Sequence, residues 1–320
     1  MSAPVATTLS MRAVAVHTIR STAMAIARTV AIEQGKGGVG KTSLVANVGG
    51  LAAAAGVRTL IVDLDPQGNI ARDLGFPPSD GQALFNAFAT GGSLPVLKDI
   101  RPNLDVVPGG PAVGDIAGLN FSWQQRGAGD FGVQLERTLG AIAGEYDLIL
   151  LDTPPGDRVI AEGALAVATS VVIPTRSDEA SIDGVARVAE RFQNVATRNP
   201  QLRLAGVVLF AVGSRSVRLE RDVRAALTDL LGGVAPVFET RIRHLDSAAV
   251  DARSRGLLIH ELEQAAKDDR AARLTALKAK EKPADGLFVR DASGLAEDYE
   301  NLTREILTVL GQIQNEVEVA

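Results

Sequence analysis

The chain has 320 residues, enough for one large α/β domain or two small ones; 46% are apolar but only 4% aromatic, so the expected core is one of Ala, Val, Leu and Ile. Cysteine is absent, which excludes disulfides, thiolate-held metals and iron–sulfur clusters and fits a cytoplasmic protein. A net charge of −5 confines any nucleic-acid surface to a local patch, and no apolar run approaches the roughly 20 residues that a membrane span needs.

Residues 1–28 carry Arg12, Arg20, Arg28 and His17 and no acid. The expected form is a flexible tail ahead of a single domain over 29–320. A transit peptide, a true start at Met11 or Met24, and a basic arm touching DNA are the other readings.

The apolar run Thr29-Val30-Ala31-Ile32 reads as a strand and leads into Gln34-Gly35-Lys36-Gly37-Gly38-Val39-Gly40-Lys41-Thr42-Ser43. A helix rich in Ala and Leu follows over 41–55, closed by Gly56. Strand, glycine-rich loop, helix is the context of a phosphate-binding P-loop. Glycines let the backbone N–H groups wrap a polyphosphate, and the helix N-terminus adds positive field. Lys41 is placed to reach the β- and γ-phosphates, and the Thr42 hydroxyl to ligate Mg²⁺. The cofactors expected are therefore ATP and Mg²⁺. Lys36 is a second lysine that one such site does not require. It is either a solvated loop charge or reaches another phosphate.

Val57 to Asp65 reads as a buried parallel strand ending in Asp63 and Asp65, at the strand end where ligands of open parallel sheets bind. Pro66-Gln67-Gly68-Asn69 makes a turn. Residues 76–103 are less regular, with Pro77-Pro78, a helix near 81–89 and Gly91-Gly92. Leu104 to Gly110 is a short strand and turn. The stretch 111–130 holds Trp123, expected to pack.

An amphipathic helix over 131–144 precedes Tyr146-Asp147-Leu148-Ile149-Leu150-Leu151-Asp152-Thr153-Pro154-Pro155-Gly156. An apolar strand ending in Asp is a Walker B pattern, with Asp152 holding Mg²⁺ through a water. Ser170 to Arg176 is the next strand, with a helix over 178–199 beginning at Asp178 and Ser181. Leu204 to Phe210 is another strand, and Ser214 is a candidate cap for the helix after it. Val234 to Phe238 reads as the last strand. Strands and helices alternate from 29 to 238, which predicts an α/β fold: a doubly wound, mostly parallel sheet flanked by helices.

Arg215, Arg218, Arg221 and Arg224 recur every three residues on a predicted helix, with Glu220 and Asp222 between them. Arg241, Arg243, His244, Arg253 and Arg255 come after the last strand. Arginine pairs well with phosphate oxygens, and a solvated helix face of ion pairs is the other reading. Residues 264–290 read as a charged surface insertion. A final helix over 293–316 carries Leu295, Tyr299, Leu302, Ile306, Leu310 and Ile313 on one stripe, expected to pack on the sheet. The tail Glu316-Val317-Glu318-Val319-Ala320 lacks the lysines that anionic lipid requires, so no membrane binding is expected.

Three motifs resemble those of the ParA/MinD superfamily of P-loop ATPases. Gly35-Lys36-Gly37-Gly38-Val39-Gly40-Lys41-Thr42 looks like its deviant Walker A loop. Asp63-Leu64-Asp65-Pro66-Gln67-Gly68-Asn69 is similar to its switch I, and Asp152-Thr153-Pro154-Pro155-Gly156 to its switch II. The resemblance implies that Lys36 crosses a dimer interface to the partner's nucleotide, that Asp65 activates the attacking water, and that Asp63 lies near the Mg²⁺ shell. It further implies an ATP-dependent homodimer that binds DNA without sequence preference through residues such as Arg215, Arg218, Arg241 and Arg243. A ParB-type partner would stimulate slow hydrolysis, and the ATP-bound form would associate with the nucleoid. The chain departs from the family after the last strand: Arg243-His244-Leu245 and Asp251-Ala252-Arg253 replace Pro-Arg-Asn and Glu-Ala-Pro. A MinD-like membrane-surface protein and a P-loop small-molecule kinase or dethiobiotin-synthetase-like enzyme are the alternatives. Zero cysteines excludes a nitrogenase iron protein. Two tyrosines, Tyr146 and Tyr299, are too few for a tyrosine-kinase relative. No large N-terminal extension is present to supply a helix-turn-helix, so operator binding is not expected.

Overall fold

The computed structural model describes residues 25–34, 38, 40–176, 179–212, 217–233, 235–279 and 292–319. Eight strands form one sheet: β1 (Thr29–Ile32), β2 (Thr59–Asp63), β3 (Leu97–Arg101), β4 (Leu104–Val107), β5 (Leu148–Asp152), β6 (Ser170–Thr175), β7 (Arg203–Val212) and β8 (Ile242–Arg243). Their order is β3-β4-β2-β5-β1-β6-β7-β8. Every pairing is parallel except β3 with β4. The central strands are covered on both faces, which is why they read as unbroken apolar runs.

Helices α1 (Lys41–Ala54), α2 (Asn69–Leu74), α9 (Asp246–Arg255), α10 (Ile259–Lys278) and α11 (Ser293–Val319) cover one face. Leu44, Val48, Ile70, Leu262 and Leu302 share a core there with the sheet. The opposite face carries α3 (Gln82–Thr90), α4 (Ile116–Gln125), α5 (Phe131–Gly140), α6 (Arg158–Val167), α7 (Glu179–Ala196) and α8 (Val217–Leu231). Phe88, Trp123, Phe131, Ile160, Val188 and Leu227 fill that second core. The α11 stripe is buried at Leu295, Tyr299, Leu302 and Ile306, and Leu310 and Ile313 pack at its margin. No helix among the described residues is long and apolar enough to cross a membrane.

The structure differs from the sequence expectations in four places. β3 forms inside the stretch read as irregular. It is an edge strand with Lys98, Asp99 and Arg101 in it, and one covered face gives no apolar run to read. Of the expected strand Val234 to Phe238, the described residues 235–238 form no strand, and Val234 lies outside the described residues. Val237 makes a single bridge to Val207, while Glu239 and Thr240 donate their N–H groups to the Glu305 carboxylate at 2.9 and 3.0 Å. Pro236 has no N–H to extend a ladder, and pairing resumes only at β8. The turn at 66–69 runs on into α2. The first part of the expected insertion is the continuation of α10, anchored by buried Ile259, Leu262 and Ala266. Residues 280–291 lie outside the described residues, as do 1–24, Asp178 and Ser214.

The topology sets the site. In register, Ile32 lies opposite Asp152, and Asp152 opposite Asp63. Three neighbouring strands therefore end level, and the segments that leave them converge on one edge of the sheet.

Candidate nucleotide site

The loop after β1 closes onto α1 through glycines in left-handed conformation. Gly38 has φ +75° and Gly40 +92°. A Cβ on Gly40 would lie 2.3 Å from the Phe210 ring, so glycine is required there for space as well as for φ. α1 then starts at Lys41 with no side-chain cap and no acid in its first turn, leaving its N–H groups and positive end for an anion. Lys41, Thr42 and Ser43 are on this first turn. Gly35, Lys36, Gly37 and Val39 lie outside the described residues.

Asp152 is fully buried at the end of β5, and neither carboxylate oxygen has a well-formed hydrogen bond among the described residues. Burial and then neighbouring Asp63 push its pKa well above the ordinary carboxylate range; the nearby Thr42 hydroxyl and Lys41 oppose the shift. Asp63, 1% exposed, accepts from Asp65 N at 3.0 Å and Ile70 N at 3.3 Å. Burial raises its pKa to about 7. Asp65 accepts from Gln67 N at 2.8 Å and is also raised by burial. Lys41 is buried among them. Burial lowers its pKa, and Asp152, Glu33 and Asp65 oppose the shift.

This arrangement lacks a counter-charge. Buried carboxylates facing one lysine, one of them without a well-formed hydrogen bond among the described residues, fit a divalent cation. Among the described residues no group of three or more His, Cys, Asp or Glu side chains is placed to hold a metal alone. Mg²⁺ suits such a site, because it takes one or two protein ligands and completes its shell with water and phosphate oxygens.

Sequence reading missed the supports around these groups. Glu33, wholly buried after β1, accepts from the Thr153 hydroxyl at 2.5 Å and is ion-paired with Arg191 of α7. Burial raises its pKa, with Thr153 and Arg191 opposing. Thr153 Oγ also lies 2.8 Å from the Ile32 carbonyl oxygen, so the segment after β5 is tied to the end of β1. An acid closing an unbroken apolar strand was the available signal. Beyond Thr153, Gly156 takes φ +82°, and Asp157 caps α6 by accepting from Ile160 N at 3.0 Å. On the other side, Ser43, Asp73 and Arg253 form a hydrogen-bonded set that no local pattern announces.

Beside Gly38, Gly40 and Ser43 opens a cavity of about 250 Å³, walled by Phe210, Arg243, His244, Asp246, Arg253 and Tyr299 among others. Arg243 and Arg253, read from sequence as part of a basic patch, therefore border the P-loop. Arg243 forms a two-pronged pair with Asp298 of α11, both contacts 2.7 Å. Arg241 is ion-paired with Glu220. Arg224 turns inward to the Phe238 and Glu239 carbonyl oxygens at 2.6 and 3.2 Å. Arg221 bonds its neighbour Asp222. Arg218 is exposed, and Arg215 lies outside the described residues. The three-residue spacing thus produces several separate roles rather than one basic stripe.

A protein-family model described as an AAA domain matches residues 27–204. The chromosome partitioning protein ParA of Caulobacter vibrioides is 33% identical over 213 residues, 63% of this chain and 77% of that protein. Among solved structures, apo McdA of Cyanthece superposes with a TM-score of 0.66 at 18% identity, covering 89% of this chain and 99% of that one. Cobyrinic acid a,c-diamide synthase from Mycobacterium smegmatis, with bound ATP analog and magnesium, gives 0.60 at 25% identity, covering 81% and 98%. The McdA likeness is one of fold.

Proposed function

Because this chain belongs to the AAA domain family matched above, as a P-loop ATPase of the ParA/MinD type, we propose that it is an ATP-dependent dimerising switch for DNA partition. It binds duplex DNA without sequence preference when ATP-bound and moves a plasmid or chromosome. Hydrolysis is slow and is stimulated by a ParB-type partner. The observation that carries the nucleotide part is Asp152, buried and without a well-formed hydrogen bond among the described residues, level with Asp63 and beside Lys41 and Thr42.

Lys41 gives the phosphates a cation that is already desolvated, so little reorganisation is needed on binding. Thr42 and Asp152 would hold Mg²⁺, with Asp63 next to its shell. When bound, Mg²⁺ would neutralise charge on the phosphoryl group of ATP that is transferred to water. Asp65, oriented by the Gln67 N–H, positions the attacking water. The tie from Thr153 to Glu33 holds the segment after Asp152 against β1. Lys36 is assigned to the partner's nucleotide.

Of the DNA candidates, Arg218 and Arg243 are exposed, but Arg243 is ion-paired with Asp298, which leaves Arg218 the better placed of the two. Arg241 and Arg243 must exchange a carboxylate for a phosphate, which lowers their net worth. A membrane-surface role is disfavoured because the apolar stripe of α11 is already packed in the core.

The test is binding to random-sequence duplex DNA with ATP and Mg²⁺, with ADP, and without nucleotide, at two salt concentrations. The expected result is ATP-dependent binding that weakens with salt and is lost in Lys41→Ala. Nucleotide-dependent dimerisation with no DNA binding in any state would sink the partition reading.

A further inference from the structure

Arg253 stands at a junction of three helices. From α9 its Nε donates to Asp73 Oδ1 of α2 at 2.9 Å, and its Nη2 donates to the Ser43 hydroxyl of α1 at 2.9 Å. The Ser43 hydroxyl donates in turn to Asp73 Oδ2 at 2.9 Å, closing a ring. Asp73 is buried, so its charge depends on these two partners.

The ring joins α1, which carries Thr42, to α2, whose Ile70 N–H meets Asp63 at the end of β2. Ser43 comes directly after Thr42 on the first turn of α1. α2 holds Asp63 from above, its Ile70 N–H donating to Asp63 Oδ2 at 3.3 Å. With six residues, α2 is too short to be rigid on its own. Its fixed points are Ile70 and Leu74 in the core and Asp73 in the ring. The same guanidinium borders the cavity beside Gly38 and Gly40.

We propose that Arg253 is a positioning residue of the nucleotide site. Through Ser43 and Asp73 it fixes the spacing between Thr42 and Asp63, and so sets how tightly Mg²⁺ is taken up with the nucleotide. This rests on the ATPase reading. It also gives Arg253 a role away from the DNA surface, with its Nε and Nη2 engaged in the ring. Arginine is needed because its planar fork reaches two acceptors at once, which a lysine ammonium on one flexible stem does poorly.

The test is equilibrium binding of a fluorescent ATP analogue to the full chain, titrated with Mg²⁺ and repeated in EDTA. Arg253→Ala is expected to raise the half-saturating Mg²⁺ concentration about tenfold, the low end of what partners of metal ligands are worth. Metal-free binding of the analogue stays as in wild type, and Arg253→Lys falls between the two. If Arg253→Ala does not fold, Asp73→Ala with Arg253→Ala leaves no buried charge unpaired and is expected to show the same Mg²⁺ shift. An unchanged Mg²⁺ dependence in a folded variant, or equal loss with and without Mg²⁺, overturns the role of Arg253. A Lys41→Ala protein that binds the analogue as tightly as wild type overturns the ATPase reading, and this role with it.

Discussion

Replacing Asp63 by Asn should stabilise the nucleotide-free protein at high pH. The Asp63 carboxyl is raised from its ordinary 3.8 to about 7. A carboxyl raised in the fold contributes stability that is present in full below its unfolded value and lost as pH rises through the folded one. At pH 8 the loss is complete, and the distance from 3.8 to about 7 corresponds to about 4 kcal/mol. Asn carries no such penalty. Its amide oxygen can keep the contact from Asp65 N, but its NH₂ then faces the Ile70 N–H, at a cost of about 1–2 kcal/mol. The net gain at pH 8 is about 2 kcal/mol. At pH 5 wild-type Asp63 is protonated in the fold and ionised when unfolded, so only about 1–2 kcal/mol has been lost and the variant has almost no advantage. Urea unfolding at both pH values in EDTA measures the difference. A gain no larger at pH 8 than at pH 5 would refute the electrostatic reasoning. With Mg²⁺ and ATP present the order should reverse, because only wild type gains by binding.

Gly40→Ala should cost about 2 kcal/mol of stability and most of the nucleotide affinity, since the methyl meets both a positive φ and the Phe210 ring. Calorimetric binding that matches wild type would contradict this. Arg191→Ala takes the ion-pair partner from the buried Glu33 carboxylate and should cost about 3–5 kcal/mol, much of it recovered when Glu33→Gln is added. A double-mutant cycle in urea reads the coupling, and additive effects would count against a buried pair. Arg218→Glu should weaken DNA binding and flatten its salt dependence more than Arg241→Glu does, because Arg241 is already paired. Equal slopes would place the DNA elsewhere.

The core of the site was legible because its residues sit in local patterns. An apolar run ending in an acid identifies both Asp63 and Asp152, and parallel strands of similar length bring such ends level. Gly38 and Gly40 occupy the positive φ values that a phosphate loop needs. The remainder depends on distances that spacing does not encode. Glu33 meets Arg191 of α7, 158 residues away in sequence, and Arg253 meets Ser43 only when α9 packs against α2. Arg241 and Arg243 looked available for phosphate because Glu220 and Asp298 are far from them in sequence. β3 was hidden by its charges, and Val237 looked like a strand because nothing local discloses that Glu305 takes the N–H groups of Glu239 and Thr240.

The place of β1 in the sheet has a consequence for synthesis. β2 and β4 pair with each other across a short stretch of chain, Thr59 opposite Leu104. β1 is made earlier, yet its neighbours are β5 and β6, with Thr29 opposite Ile149 and Val30 opposite Ser170. While the ribosome works through everything between, Val30, Ala31 and Ile32 have no strand beside them, and the phosphate loop hangs from an unpaired segment. Such long-range closure is slow and exposes apolar surface to chaperones. Nascent chains halted before Leu148 leaves the ribosome should fail to bind ATP, and capture should appear only once β6 is out. The motif first read by eye is thus among the last parts of the protein to work.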